Sequence, residues 1–146
     1  MNNAATPTGP SSPQGILPQG APSAVGRCLI VDDDAGIRRL IAYNLGKLGV
    51  ESAECATVSA VESALSEHDP ELIFLDLGLE DGDEYSVLSL LAARGFSGRV
   101  QIVSGRAVGV LDQICDWGRS KGLAMLPPLP KPFRSSAIKA LVDAGS

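Results

Sequence analysis

The chain is expected to fold as an α/β domain, a doubly wound sheet of five parallel strands with helices on both faces. Three observations carry this expectation. Residues 28–31 (Cys-Leu-Ile-Val) and 72–75 (Leu-Ile-Phe-Leu) are apolar without alternation, and each run ends abruptly in acid, as strands buried on both faces do. Short apolar runs alternate with longer segments of helical period, the signature of repeated strand–helix units around a parallel sheet. The length of 146 residues suits one compact domain, since single domains cluster at roughly 100–150 residues.

Each element follows in order. Residues 1–26 are dominated by Pro, Gly, Ser, Asn, Gln, Thr and Ala, with only Ile16, Leu17 and Val25 to bury. That is too little to offset ordering entropy, so a flexible tail is expected, and the folded domain occupies 27–146. The first strand spans 27–32. After Asp34, residues Ile37, Leu40, Ile41, Leu45 and Leu48 recur at helical spacing, and Gly49 ends that helix. Residues 50–55 alternate weakly as a second strand. Thr57 is an N-cap for a second helix marked by Val58, Val61 and Leu65, which Asp69 and Pro70 stop. The third strand is 71–76. Val87, Leu88, Leu90 and Leu91 mark the third helix, 99–104 the fourth strand, and Val110, Leu111, Ile114 and Trp117 the fourth helix. Residues 123–129 make a poor strand, because Pro127, Pro128 and Pro130 cannot donate to a ladder and are tolerable only at a sheet edge. Residues 136–144 close the chain as a short helix.

Composition narrows the function. A formal net charge of −5 with no basic stripe argues against a nucleic-acid or membrane-surface binder. Cys28, Cys55 and Cys115 are odd in number and lie in apolar segments, so buried reduced thiols are expected rather than a disulfide framework or metal site. The region before Arg27 has no Lys, Arg or sustained apolar run, hence neither a secretory signal nor a membrane span, and a cytoplasmic protein is expected.

In doubly wound sheets, ligands sit beyond the carboxyl ends of the strands. Asp32, Asp33 and Asp34 follow the first strand, Asp76 the third, Ser104 the fourth and Lys131 the fifth. Carboxylates gathered at one edge repel one another, and a hard divalent cation with oxygen ligands, magnesium first, is the natural counter-charge. Magnesium prefers few protein carboxylates, several waters and a phosphate oxygen, so phosphoryl transfer is the indicated reaction class. A carboxylate serves there as nucleophile, with a hydroxyl and an ammonium to receive phosphoryl oxygens.

The ordered set Val31, Asp32, Asp33, Asp34; Phe74, Leu75, Asp76; Val103, Ser104, Gly105; and Leu129, Pro130, Lys131, Pro132, Phe133 resembles the receiver domain of bacterial response regulators, over roughly residues 27–144. The resemblance implies a flavodoxin-like strand order 2-1-3-4-5. It implies that Asp76 accepts a phosphoryl group from a sensor histidine kinase, a phosphotransfer protein or a small donor such as acetyl phosphate. It further implies that the chain is a self-catalysing phosphoacceptor rather than a turnover enzyme, and that it relays a conformational change to an effector protein or output domain. Asp33 and Asp76 would bind Mg2+ directly, Asp32 through water, and the Gly78 backbone carbonyl would add a ligand. Ser104 and Lys131 would recognise the phosphoryl group, with the Lys131–Pro132 bond cis. Asp34 matches an acidic position of the family but reads as a helix cap.

Departures accompany the matches. Receivers commonly carry Tyr or Phe three residues before this Lys, a ring that rotates inward on activation; here the residue is Pro128. The stretch from Ser104 to Lys131 is several residues longer than usual and contains Trp117, either core or an exposed docking surface. Gly78 and Arg106 would flank the water path to the acyl phosphate. Residues 80–84 (Glu-Asp-Gly-Asp-Glu) lack calcium-loop spacing and read as a turn plus an acidic helix start. His68 is expected to be exposed, away from the acids. Two alternatives remain: a receiver-fold interaction module that works without phosphate, favoured by Pro128, and a haloacid-dehalogenase-like phosphatase built on Asp32 and Asp34, which would leave Asp76 without a role.

Overall fold

Side chains alternate across each apolar run, and this alternation makes a three-layer structure. The computed structural model describes residues 26–143. It contains β1 (Arg27–Val31), α1 (Ala35–Lys47), β2 (Glu51–Cys55), α2 (Val58–Glu67), β3 (Leu72–Leu75), α3 (Ser86–Ala93), β4 (Arg99–Ser104), α4 (Val108–Ser120), β5 (Ala124–Met125), β6 (Leu129–Pro130) and α5 (Ser135–Asp143). The sheet is parallel, in the order β2-β1-β3-β4-β5, with β6 also paired to β4. This is the expected order. Of the expected tail, 1–26, all but Gly26 lies outside the described residues.

Leu29, Val31, Ile73, Leu75, Val100 and Ile102 point to the layer of α2, α3 and α4, where they pack with Val61, Leu88, Leu91, Leu111 and Ile114. Cys28, Ile30, Leu72, Phe74 and Val103 point to the other, against Ile41 and Leu45 of α1 and Ile138 and Val142 of α5. Covering both faces is what a parallel sheet requires. The caps form as expected. Asp34 accepts from the amides of Gly36 and Ile37, and Thr57 Oγ1 from that of Ala60. Gly49 adopts φ 77° just past α1, a conformation that favours glycine. All three cysteines are buried free thiols, with burial raising that of Cys28 to about 12. No helix among the described residues is long and apolar enough to cross a membrane.

Three expectations need correction. The fifth strand is broken: β5 pairs with residues Arg99 and Val100 of β4, β6 with Val103 and Ser104. Between them Pro127 and Pro128 offer no N–H, and the buried Gln101 side chain fills the gap by donating from Nε2 to the Pro127 carbonyl (2.8 Å) and to that of Ile102 (3.0 Å). Leu40 and Val110, placed on inward faces by spacing alone, are 44% and 42% exposed. Asn44 is buried on α1 and satisfies itself by donating to the Leu40 carbonyl. Finally, α3 begins only at Ser86 and carries no acid in its first turn. The acids before it are used elsewhere: Asp81 caps α2 through the amides of Val58 and Ser59, Asp83 bonds Ser86 Oγ, and Glu84 pairs with Arg106.

Gln101→Leu keeps the volume but removes the donor from the Pro127 carbonyl. It is expected to cost about 1 kcal/mol, the net worth of such a bond. Urea denaturation measures this, and an unchanged midpoint would mean that the Gln101 bridge contributes nothing.

Candidate functional site

Register brings the acids together. The Asp76 amide donates to the Val31 carbonyl (2.8 Å) and the Asp32 amide to that of Cys55 (3.0 Å), so both residues emerge at the same level where β1 and β3 end. Neither can remain in the apolar layers. Oxygens of Asp32, Asp33 and Asp76 all lie within 4.8 Å of one another. Asp32 is buried at 2% exposure, Asp76 half-buried and Asp33 exposed.

Lys131 reaches this cluster from the far side of the sheet edge. Its amide donates to the Ser104 carbonyl (2.9 Å), extending the β6 pairing, and the Lys131–Pro132 bond is cis, as expected. Its Nζ lies 2.8 Å from Asp32 Oδ2 and 3.4 Å from Asp76 Oδ1. The other Asp32 oxygen accepts the Asp34 amide (2.9 Å), and the Asp32 carbonyl accepts Arg38 Nη1 (2.7 Å), whose Nε pairs with Glu54. Ser104, 3% exposed, accepts the Arg106 amide at Oγ (3.1 Å). The Gly78 amide turns back to Asp76 Oδ2 (3.3 Å). The structure thus gathers Asp32, Asp33, Asp76, Gly78 and Lys131, with Ser104 tied to Lys131 through its carbonyl. Asp34 is occupied as a cap. His68 is exposed at the end of α2, as expected.

Two contributors have no local signal in the sequence. Arg38 anchors the backbone of Asp32 while paired with Glu54, 16 residues away, and Glu84 holds Arg106, 22 residues away. Helical spacing alone marks Arg38 only as polar.

Burial raises the Asp76 carboxyl above its ordinary range and the Asp32 charge adds to this, while Lys131 and the Gly78 amide pull it back. Burial opposes the charge on Lys131, but its bonds to Asp32 and the two carboxylate charges outweigh burial and raise it, so it stays cationic. Three carboxylates facing this one ammonium provide the hard oxygen donors that Mg2+ takes, and the set fits such an ion. Because the folded-state value of Asp76 is raised, its contribution to stability is present in full below the ordinary carboxylate range and lost as pH rises through the raised value. Without divalent metal, Asp76→Asn is therefore expected to be the more stable at neutral pH, with the gap closing on acidification. Thermal unfolding across pH tests this; a gap independent of pH would contradict it.

The comparisons agree with this geometry. Residues 28–143 match the model of the response regulator receiver domain. The chain is 30% identical over 116 residues to sporulation initiation phosphotransferase F of Bacillus subtilis (strain 168), covering 80% of this chain and 90% of that protein. It is 31% identical over 77 residues to the photosynthetic apparatus regulatory protein RegA of Rhodobacter capsulatus, spanning 53% of this chain but only 42% of RegA. The receiver domain of NtrX from Brucella abortus has the same fold, with a TM-score of 0.66 at 22% identity over 81% of this chain and 96% of that one. With the family model spanning both core layers and every strand-end residue of the acidic site, the chain belongs to the response regulator receiver domain family of two-component signalling.

Proposed function

We propose that Asp76 is the phosphoacceptor of this domain, supplied by the phosphohistidine of a sensor kinase or phosphotransfer protein, or by a small acyl phosphate. The observation that carries the reading is the Lys131 ammonium set against Asp76 and Asp32 beside a three-carboxylate cluster. An Asp76 carboxylate oxygen attacks phosphorus as the donor P–N bond breaks. The electron pair leaves with the imidazole, which takes a proton, and an acyl phosphate remains on Asp76. Asp33, Asp76 and the Gly78 carbonyl would hold Mg2+ directly and Asp32 through water, and the bound ion would supply positive charge to the transferring oxygens. Ser104 donates its hydroxyl to one phosphoryl oxygen, and Lys131 neutralises another. Hydrolysis by water at phosphorus, with the acyl P–O bond breaking, returns Asp76 as carboxylate and ends the signal. The partner kinase and an effector protein or output domain belong to the cytoplasm in this reading.

The testing experiment is intact mass after incubation with Mg2+ and acetyl phosphate or phosphoramidate, with Asp76→Asn and Lys131→Ala alongside. One adduct on the wild type supports the reading. No adduct on a folded, Mg2+-binding protein would overturn it in favour of a phosphate-independent interaction module, the reading that Pro128 in place of an aromatic favours. The phosphatase alternative needs Asp32 as nucleophile and leaves Asp76, set beside Lys131 and within the same carboxylate cluster, without a role.

A further inference from the structure

The segment between β3 and α3 is tied to the candidate site at one end and to α4 at the other. Glu84 pairs with the Arg106 guanidinium (2.7 Å), and the Arg106 amide donates to Ser104 Oγ (3.1 Å). The next residue, Tyr85, meets Trp117 of α4 edge-on, with ring centroids 5.0 Å apart and planes at 62°. Trp117 is half-buried against the core, and the Lys121 ammonium lies 5.4 Å from its ring centre. One continuous series of contacts therefore joins the hydroxyl of Ser104 to the last turns of α4. It bypasses the fifth strand, where Pro128 has no ring to rotate.

We propose that Glu84 and Tyr85 are the output lever of this domain: a phosphoryl group on Asp76 draws Arg106 away from Glu84, and the released segment reseats Tyr85 against Trp117 and shifts α4. The inference rests on Asp76 being the phosphoacceptor. A phosphoryl group brings a charge of about −1.5 to −2 and three acceptor oxygens, against the single charge of Glu84, and guanidinium favours such bidentate partners. The Arg106–Glu84 pair is itself weakly held. Its side chains are 40% and 31% exposed, where ion pairs exchange at little cost. Arg106 leaves β4 two residues beyond Ser104, and β4 is the direct neighbour of β3, on whose end Asp76 sits. The Tyr85 side chain makes no cap hydrogen bond at α3, so packing against the core and Trp117 is what positions its ring.

Trp117 is the single tryptophan of the chain, so its emission reports this contact directly. The experiment follows Trp117 emission and α4 amide exchange during incubation with Mg2+ and phosphoramidate, with intact mass recording the adduct in the same samples. In the wild type, emission is expected to shift as the adduct appears, and α4 amides to exchange several-fold differently. Glu84→Gln keeps the shape but releases Arg106. Its emission before any donor is expected at the position of the phosphorylated wild type, with the adduct still forming and little further shift. Tyr85→Phe keeps the response, whereas Tyr85→Leu forms the adduct without it. An adduct on the wild type with unchanged emission and exchange would overturn the lever, as would a Glu84→Gln response equal to that of the wild type. No wild-type adduct at all would instead overturn the phosphoacceptor reading, and the lever with it.

Discussion

Asp76→Asn is expected to gain no phosphoryl group from Mg2+ and phosphoramidate, whereas the wild type is expected to gain one. The expected loss is complete, because an amide has no anionic oxygen with which to attack phosphorus. Asn has the size of Asp, so the fold is kept: its carbonyl oxygen still accepts the Gly78 amide, and the backbone bond from residue 76 to Val31 is untouched. The variant also removes one of three mutually repelling charges, and a failure to react cannot be blamed on unfolding if thermal melting shows an equal or higher midpoint. Lys131→Ala is expected to react more slowly and not to lose the site, since it removes a charge that stabilises the transfer and leaves the nucleophile in place. An adduct that persists on Asp76→Asn would move the acceptor to another acid and refute the assignment.

Phe74→Ala is expected to destabilise the domain by about 3–5 kcal/mol, the usual cost of deleting a buried aromatic side chain. That is a large part of the roughly 5–15 kcal/mol that holds a typical domain together. Phe74 is 1% exposed on the central strand β3, facing the layer where Ile41, Leu45, Ile138 and Val142 pack. Its removal opens a void that α1 and α5 cannot both close, as each is already fixed by its own buried pair. Urea unfolding followed by far-UV circular dichroism measures the loss, and a change under about 1 kcal/mol would show that this layer collapses freely around the missing ring. Because Asp76 lies two residues further along β3, a lesser amplitude of phosphorylation at fixed donor is expected to follow the unfolded fraction.

The site was legible because its residues sit where strands end. An unbroken apolar run can be followed by Asp32 or Asp76 only where the sheet stops, so sequence position alone locates both acids on one edge. Caps were equally local: Asp34 and Thr57 bond amides two or three residues away. What escaped depends on distant partners or on the neighbours of a helix. Leu40 and Val110 have the spacing of inward residues but are left exposed, because periodicity does not record how wide a helix's neighbour is. The run of acids at 80–84 reads as a helix start on composition, yet Asp81 reaches α2 and Glu84 reaches Arg106, pairings set only by the folded chain. The fifth strand was suspected from its prolines, while the Gln101 bridge that spans its break is invisible without the sheet.

That break also bears on how copies of this domain behave at high concentration. A parallel sheet ends in an outer strand whose free N–H and C=O groups invite another chain to add on, the first step of edge-to-edge aggregation. Here the outer strand is reduced to two pieces of two residues each, separated by Pro127 and Pro128, and Pro130 lies in the second piece. An incoming strand would meet too few consecutive donors to form a ladder. The prolines that make this a poor strand thereby make it a poor template, and self-association through this edge is disfavoured by the same residues that interrupt the fold.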